Sequence, residues 1–463
     1  MISRRQAVAA TLSAAPFLNL RAQNRRDLPN ILWILGDDLG PQLGSYGFPL
    51  IHTPHTDALA ARGLRFTHCF TTAPVCSPSR SAWNTGVYQT TTNTHNHRSH
   101  RRDNFQLPAG VRLVSHRLRD AGYFTANCTE LAAGLRASGK TDFNFQTPDK
   151  PFDGTHWNQR AAGQPFFAQI NFTAPHKGPM WPLARKRSPL VDPARVELPP
   201  YYPDHPTVRD EFANYLDAVN YWDTQVGAVL DLLRRDNLLE NTVVFVFGDN
   251  GRCLLRGKQW LYDPGTHIPL LIHWPGHIRP AVRRDPVISL DITATTLALA
   301  RLSRPELFHG QDLLDSKSPP RTRIFTARDR CDMTVDRIRA VRDSRYKLIR
   351  NFYPDRPYTQ YNEYIGKNYP TQQVLTELHA AGKLTPVQAQ WLAPRRPEFE
   401  LYDHQADPHE VRNLAGDPRH QSTLRRLSAE LDRWIADTND HGRTPEPPEV
   451  IEREEPRARG SAR

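Results

Sequence analysis

Four short runs along the chain are apolar at nearly every position: Ile31-Leu32-Trp33-Ile34-Leu35, residues 166–172, residues 242–247, and Leu270-Leu271-Ile272-His273-Trp274. They lack the alternation of a strand with one wet face. Runs of this length predict strands buried on both faces, as in a mostly parallel sheet covered by helices. Each stops at polar or turn-forming residues: Gly36-Asp37-Asp38, Thr173-Ala174-Pro175-His176, Gly248-Asp249-Asn250-Gly251 and Pro275-Gly276. Between the runs the period changes. Phe212, Tyr215, Leu216, Val219, Trp222, Val226, Val229 and Leu233 recur at three- and four-residue steps, which predicts a long amphipathic helix over residues 208–235. Residues 111–121 read as a shorter one. After about Pro320, residues 323–328, 337–341 and 346–350 read as short strands joined by charged turns, followed by a polar helix near 421–437 and a tail rich in proline and charge. The pattern therefore predicts an α/β protein. Its large, mostly parallel central sheet, flanked by helices, occupies residues 24–320. A small C-terminal α+β subdomain with an antiparallel sheet follows at 321–450, and a mobile tail at 451–463.

Composition narrows the class. Over 463 residues, 38% are hydrophobic and 24% charged, and mean hydropathy is −0.62. No uncharged apolar run reaches the ~18 residues of a membrane span. The five cysteines, Cys69, Cys76, Cys128, Cys253 and Cys331, are odd in number and form no close pairs, which argues against a disulfide framework or a zinc knuckle. The formal net charge is +11. Residues 1–23 hold Arg4, Arg5 and Arg21 and no acid, so the remainder carries +8. Arg4-Arg5 stands close to Met1, and residues 7–20 are free of charge. This is the layout of a twin-arginine-type export signal and predicts a periplasmic or secreted protein. The basic surface is not assigned to nucleic acid, because no recognition motif for it is present; an anionic substrate fits the charge.

Candidate chemistry sits where the strands end. In an open parallel sheet, sites form at the carboxyl ends of strands. Asp37, Asp38, Asp249 and Asn250 reach that edge on two strands. Together they offer an all-oxygen set suited to Ca²⁺ or Mg²⁺ rather than zinc. Singly, each could instead cap its turn, the commonest fate of Asp and Asn after a strand. His176 reaches the same edge.

The segment Cys76-Ser77-Pro78-Ser79-Arg80, followed by Thr85-Gly86, resembles the signature of the formylglycine-dependent sulfatases of the alkaline phosphatase superfamily. Asn84 departs from the aliphatic residue usual there. The likeness continues through residues 30–38, 53–60, 247–251, 256–258 with 267–270, and 401–414, and so covers most of the chain. It implies that a formylglycine-generating enzyme oxidises Cys76 to formylglycine. It also implies that Asp37, Asp38, Asp249 and Asn250, with the modified Cys76, hold Ca²⁺, and that Lys258 and His176 contact the sulfate. Lys140 matches a further sulfate-binding lysine, although Asp142 stands where many members carry histidine in a Gly-Lys-x-His pattern. His267 falls in the lysine segment and is a further candidate for substrate binding.

The chemistry fits the resemblance. An aldehyde hydrate has two hydroxyls on one carbon, one to attack sulfur and one to release sulfate, whereas serine lacks the second. The cation, Arg80, Lys140 and Lys258 would hold the anionic oxygens, and His176 would serve the leaving group. His97, Arg98 and Arg101 are expected to bind the rest of the substrate at the pocket mouth, with Arg328 a second candidate; a solvated charged loop is the plain alternative for the first, and an ordinary strand-end charge cluster for the second. Residues 339–350 and 400–434 are most like the heparan N-sulfatase (sulfamidase) group, which implies a sulfated glycan substrate with N-sulfoglucosamine as the best match. A phosphonate monoester hydrolase or phosphodiesterase of the same superfamily, and a non-catalytic binder of sulfated glycans, are the alternatives.

Overall fold

The computed structural model describes residues 28–187 and 190–454. The proposed leader lies outside them. So does the tail beyond 454, whereas residues 451–454, read above as mobile, close a short helix, Pro448–Glu454.

The main sheet has eight strands: β1 (Asn30–Gly36), β2 (Leu64–Phe70), β3 (Phe124–Cys128), β6 (Phe166–Phe172), β7 (Thr242–Gly248), β8 (His267–His273), β9 (Ala281–Arg283) and β10 (Val287–Ile288). A separate hairpin of β4 (Glu130–Ala132) and β5 (Leu135–Arg136) projects from the segment just before Lys140. The order across the sheet is β10-β2-β8-β7-β1-β6-β3, with β9 beside β2. β1 is central and pairs in parallel with β6 and β7, placing Ile34 opposite both Ile170 and Val246. β8 runs antiparallel to both of its neighbours, and every other pairing in this sheet is parallel.

β1 shows why the run had to be apolar throughout. Leu32 and Ile34 enter one core cluster, with Phe212, Leu216, Val219 and Trp222 of the long helix Pro206–Arg235. Ile31, Trp33 and Leu35 enter a second on the opposite face, with Trp83 and Ile292. Successive strand side chains point to opposite faces, so a strand covered on both sides has no position for a charge. The covering helices are α1 (Pro54–Arg62), α2 (Cys76–Thr85), α3 (Val114–Asp120), α4 (Met180–Arg187), α5 (Pro206–Arg235) and α6 (Ser289–Leu299). Trp33 meets Trp83, Phe167 and Phe247 edge-on and donates to Thr296 Oγ1 at 3.1 Å, which pins α2 and α6 to one face.

Four antiparallel strands follow, in order β11 (Ile324–Arg328), β12 (Ile338–Arg342), β13 (Tyr346–Asn351) and β14 (Phe399–Asp403). Helices α7 (Glu363–Asn368) and α8 (Pro370–Ala380) fill the connection between β13 and β14, and α9 (Gln421–Asp437) covers this sheet. A third cluster joins Val341, Leu348 and Leu401 to Leu427, Leu431 and Trp434 of α9. It also takes in Phe70, Ala82 and Ile288, so the small sheet shares a core with the large one.

Candidate active site

β1 and β7 end side by side. Asp249 N–H donates to Gly36 O at 3.3 Å, and Asp38 N–H to Asp249 Oδ1 at 2.8 Å. The close approach depends on Gly248, where a Cβ would lie 2.1 Å from Leu39 O. Asp38 adopts a left-handed backbone (φ 58°), which Asp tolerates better than most residues. Asn250 Nδ2 donates to Asp38 Oδ1 at 2.8 Å, while Asn250 Oδ1 is buried with no hydrogen-bond partner.

Helix α2 delivers Cys76 and Arg80 to this edge. All ten of its residues are buried, and Gly86 (φ 75°) ends it in a left-handed cap. Cys76 Sγ, in the first turn, lies 3.7 Å from Asp37 Oδ1 and 3.9 Å from Asp38 Oδ1. Burial pushes the thiol up to about 12, so the unmodified cysteine is a poor nucleophile at neutral pH. Arg80, four residues on, points the same way along the helix. Its Nε donates to Asp249 Oδ2 at 2.9 Å, Nη2 to Asp37 Oδ1 at 3.4 Å, and Nη1 to Asn171 Oδ1 at 2.6 Å.

Two lysines and a histidine complete the shell. Lys140 Nζ sits 2.9 Å from Asp37 Oδ2 and Lys258 Nζ 2.8 Å from Asp38 Oδ2. His176 Nε2 lies 3.6 Å from the same Asp38 oxygen. Burial and the neighbouring Lys258 charge hold His176 below its usual range, which favours the neutral imidazole. Burial and the Asp37 charge push Asp249 up to about 7. Asp37 stays well below the carboxylate range: burial alone would raise it, but Lys140 on its oxygens prevails, aided by His176 and Arg80. Three carboxylates thus crowd one buried spot, one of them short of compensation, beside an orphaned amide oxygen. That donor set, all hard oxygens, fits an added divalent cation.

The remaining sequence candidates divide. Arg98 is close by: its N–H donates to Ser77 Oγ at 3.3 Å, and its guanidinium grips Asp142 through Nε and Nη2, both at 3.1 Å. Arg101 reaches the same carboxylate at 2.9 Å, and Lys140 lies 3.8 Å from it. His97 Nδ1 meets Asp332 at 3.0 Å. Two candidates are placed elsewhere. Arg328 is buried in an ion pair with Asp336 and lies over the Trp260 ring, 4.9 Å from its centroid. His267 binds the Thr67 carbonyl at 2.9 Å and packs on Phe70 at the wall of a different cavity. Their assignment to substrate is corrected accordingly. Neighbours in sequence to a charged motif, they point into a structural ion pair and a strand contact. The structure also adds residues not anticipated. Asn171 is an amide inside the buried β6 run, and that misfit was its signal. Tyr364 places its ring 5.4 Å from Lys258 Nζ and 6.2 Å from the His176 ring. It reaches the site through a long connection that carries no local motif.

A mostly parallel sheet with a buried helix bearing Cys76 and Arg80 at its carboxyl edge, beside three carboxylates, has the alkaline phosphatase-like fold. The chain belongs to the sulfatase family of sulfuric ester hydrolases, whose profile matches residues 29–302. The profile for the C-terminal part of N-sulphoglucosamine sulphohydrolase matches residues 254–390. The chain is 33% identical to an ulvan-active sulfatase of Formosa agariphila, over 90% of this chain and 76% of that one. It is 28% identical to human N-sulphoglucosamine sulphohydrolase, over 89% of this chain and 90% of that protein. Among solved structures, an enzyme in complex with its substrate D-glucosamine-2-N,6-O-disulfate shares the fold, with a TM-score of 0.64 at 16% identity over 89% of this chain and 99% of that one. So does a phosphonate monoester hydrolase from Silicibacter pomeroyi, with a TM-score of 0.64 at 20% identity over 89% and 96%. Sulfatases generally work with formylglycine and a divalent metal.

Proposed function

We propose that the chain hydrolyses sulfate esters or sulfamates on a sulfated glycan, N-sulfoglucosamine at a non-reducing end being the preferred unit. The observation that carries this reading is the convergence on Cys76 of Asp37 and Asp38 with Lys140 and Lys258, one lysine on each carboxylate. Asp37, Asp38, Asp249 and Asn250 would hold Ca²⁺, and Cys76 would carry the aldehyde; together these supply the activated nucleophile and polarise the sulfate. The chain's own groups do the rest. Arg80 is fully buried and spends Nε, Nη1 and Nη2 on Asp249, Asn171 and Asp37. It therefore fixes the carboxylates rather than touching the substrate, which revises its expected role. Lys140 and Lys258 have flexible stems and can turn from carboxylate to sulfate oxygens as a ligand enters. His176, within reach of both Asp38 and the Tyr364 ring, would hand a proton from Nε2 to the departing oxygen or nitrogen as the imidazolium, a form that burial and Lys258 disfavour and the Asp38 and Asp37 carboxylates favour. Arg98 and Arg101 stand at the mouth with their charge partly cancelled by Asp142; Arg102 beside them is exposed.

The glycan preference is supported by the charge of +8 beyond the leader and by likeness to the N-sulphoglucosamine sulphohydrolase C-terminal region. The export reading rests on Arg4-Arg5, and fusing residues 1–23 to a reporter that requires folded export checks it. The deciding experiment is sulfate release from a panel of N-sulfoglucosamine, heparin, chondroitin and ulvan oligosaccharides and an aryl sulfate, with a phosphonate monoester alongside. Release from O-sulfated units alone would remove the sulfamate preference. A phosphonate turned over faster than every sulfate would overturn the substrate class, and turnover of nothing would leave a glycan binder.

A further inference from the structure

Away from Cys76, a cavity of about 460 Å³ opens between the loop after Asp38, the segment around Leu198 and the N-terminal half of α5. Much of its wall is apolar, with Phe48, Leu50, Leu198, Phe212 and Leu216 on it, while Gln42, His267 and His409 add polar groups. Arg252 also lines it and is only 7% exposed. The guanidinium donates from Nη2 to Tyr201 Oη at 2.8 Å and lies 5.2 Å from the Phe212 ring centroid. Its Nε is buried without a hydrogen-bond partner, and it forms no ion pair with any carboxylate among the described residues. The acid on the wall, Asp263, is already taken by Arg342 and Lys347, each at 2.6 Å. Glu197 stays in solvent at the rim.

The magnitudes do not balance without a partner. Burying an unpaired charge costs more than one ring under the cation and one neutral hydroxyl return together. An anion against the guanidinium would close the gap. The walls say what should be attached to that anion. They suit an aryl or alkyl body, not a hydroxyl-covered sugar, and the volume falls within the ~300–1,000 Å³ usual for small-molecule sites. We propose that this cavity is a binding site for an amphipathic carboxylate, with Arg252 as its anchor and the Phe48–Leu198–Phe212 walls holding its apolar body. The site is separate from the chemistry at Cys76 and does not depend on that reading.

The full-length protein is titrated calorimetrically with 4-phenylbutyrate and with its neutral match, 4-phenylbutanamide. The carboxylate is expected to bind at least tenfold more tightly. Arg252→Gln keeps a donor for Tyr201 but removes the charge, and should bring the two ligands within twofold of each other. Leu198→Trp narrows the cavity and leaves Arg252 in place, so both ligands should weaken at least tenfold; it decides the matter if Arg252→Gln does not fold. Saturating inorganic sulfate should leave the titration unchanged. The proposal is overturned by equal binding of acid and amide, by undiminished selectivity in Arg252→Gln, or by no binding of either ligand at millimolar concentration. Displacement by sulfate would overturn it too, by placing the carboxylate on the lysines beside Cys76.

Discussion

Arg80 offers a perturbation whose size can be worked from geometry. The side chain is wholly buried and bridges Asp37 and Asp249, with Asn171 as a third acceptor. Arg80→Ala therefore strands the buried Asp249 carboxylate and the Asn171 amide oxygen and leaves Asp37 with Lys140 as its main counter-ion. Removing one partner of a buried ion pair costs about 3–5 kcal/mol, because the remaining charge keeps its desolvation penalty without its counter-ion. The measurement is urea unfolding in the presence of chelator, followed by tryptophan fluorescence; Trp83 lies under the guanidinium, 5.9 Å from ring centroid to Cζ. Three further observations separate charge from packing. Asp249→Asn in the Arg80→Ala background should recover about 1–3 kcal/mol, the coupling expected of contacting charges. The loss should be smaller at pH 5.5 than at pH 8. Asp249 already has a raised folded value, and without Arg80 it rises further. The native state then binds more protons than the unfolded one, and stability falls as pH climbs through that range. Added Ca²⁺ should restore part of the loss by replacing the missing positive charge. If Arg80→Ala unfolds within about 1 kcal/mol of the parent, or Asp249→Asn brings no relief, the guanidinium is not the counter-ion of this cluster.

Other outcomes follow from the same site and surroundings. Cys76→Ala should abolish turnover with little change in stability, and peptide mass spectrometry of an active preparation should find the aldehyde at Cys76; only free thiol there would refute the modification. Asp38→Ala removes a proposed oxygen ligand and frees the Lys258 ammonium, so both Ca²⁺ retention and kcat should fall by orders of magnitude, measured by metal analysis and steady-state kinetics. Burial holds His97, His267 and His309 down to about 4, whereas in the unfolded chain each titrates near 6.5. Their contribution is present above the unfolded value and is lost as pH falls from about 6.5 toward 4, with a slope of up to about 1.4 kcal/mol per pH unit for each; a flat urea midpoint across that window would contradict it. Because Asp142 offsets Arg98 and Arg101, replacing either arginine with Gln should raise KM for a polyanionic glycan modestly, whereas Asp142→Asn should lower it and steepen its salt dependence.

What could be read in advance was whatever burial alone dictates. β1, β6, β7 and α5 were legible because covering a strand on both faces, or a helix on one, leaves only one pattern of residues. β2, β3 and β14 were not singled out, since Arg65, Thr67 and His68 interrupt the first, while the other two are short and mixed. Strand order and the reversed direction of β8 depend on which loops can cross the sheet, and no local pattern records that. At the site, Asp37, Asp38, Asp249, Asn250, Cys76 and Arg80 were nominated from strand ends and one motif, and they are neighbours in space. Arg328 and His267 misled because adjacency in sequence to a charged motif says little about side-chain direction on a strand. The cancellation of Arg98 and Arg101 by Asp142 spans more than forty residues and only the fold reveals it.

Cys76 is 1% exposed, in the first turn of a helix with no exposed residue. No second enzyme could close its own active site around that side chain once α2 is packed beneath the sheet edge. Oxidation of Cys76, as proposed here, must therefore precede folding and act on an extended chain. Export through a route that accepts folded proteins would come last. On that reading maturation would be ordered in time: the side chain would be altered while still accessible, folding would seal it, and the sealed protein would be moved. A chain that folds before its cysteine is oxidised would have no way back short of unfolding, so the yield of active protein should track the ratio of modification rate to folding rate.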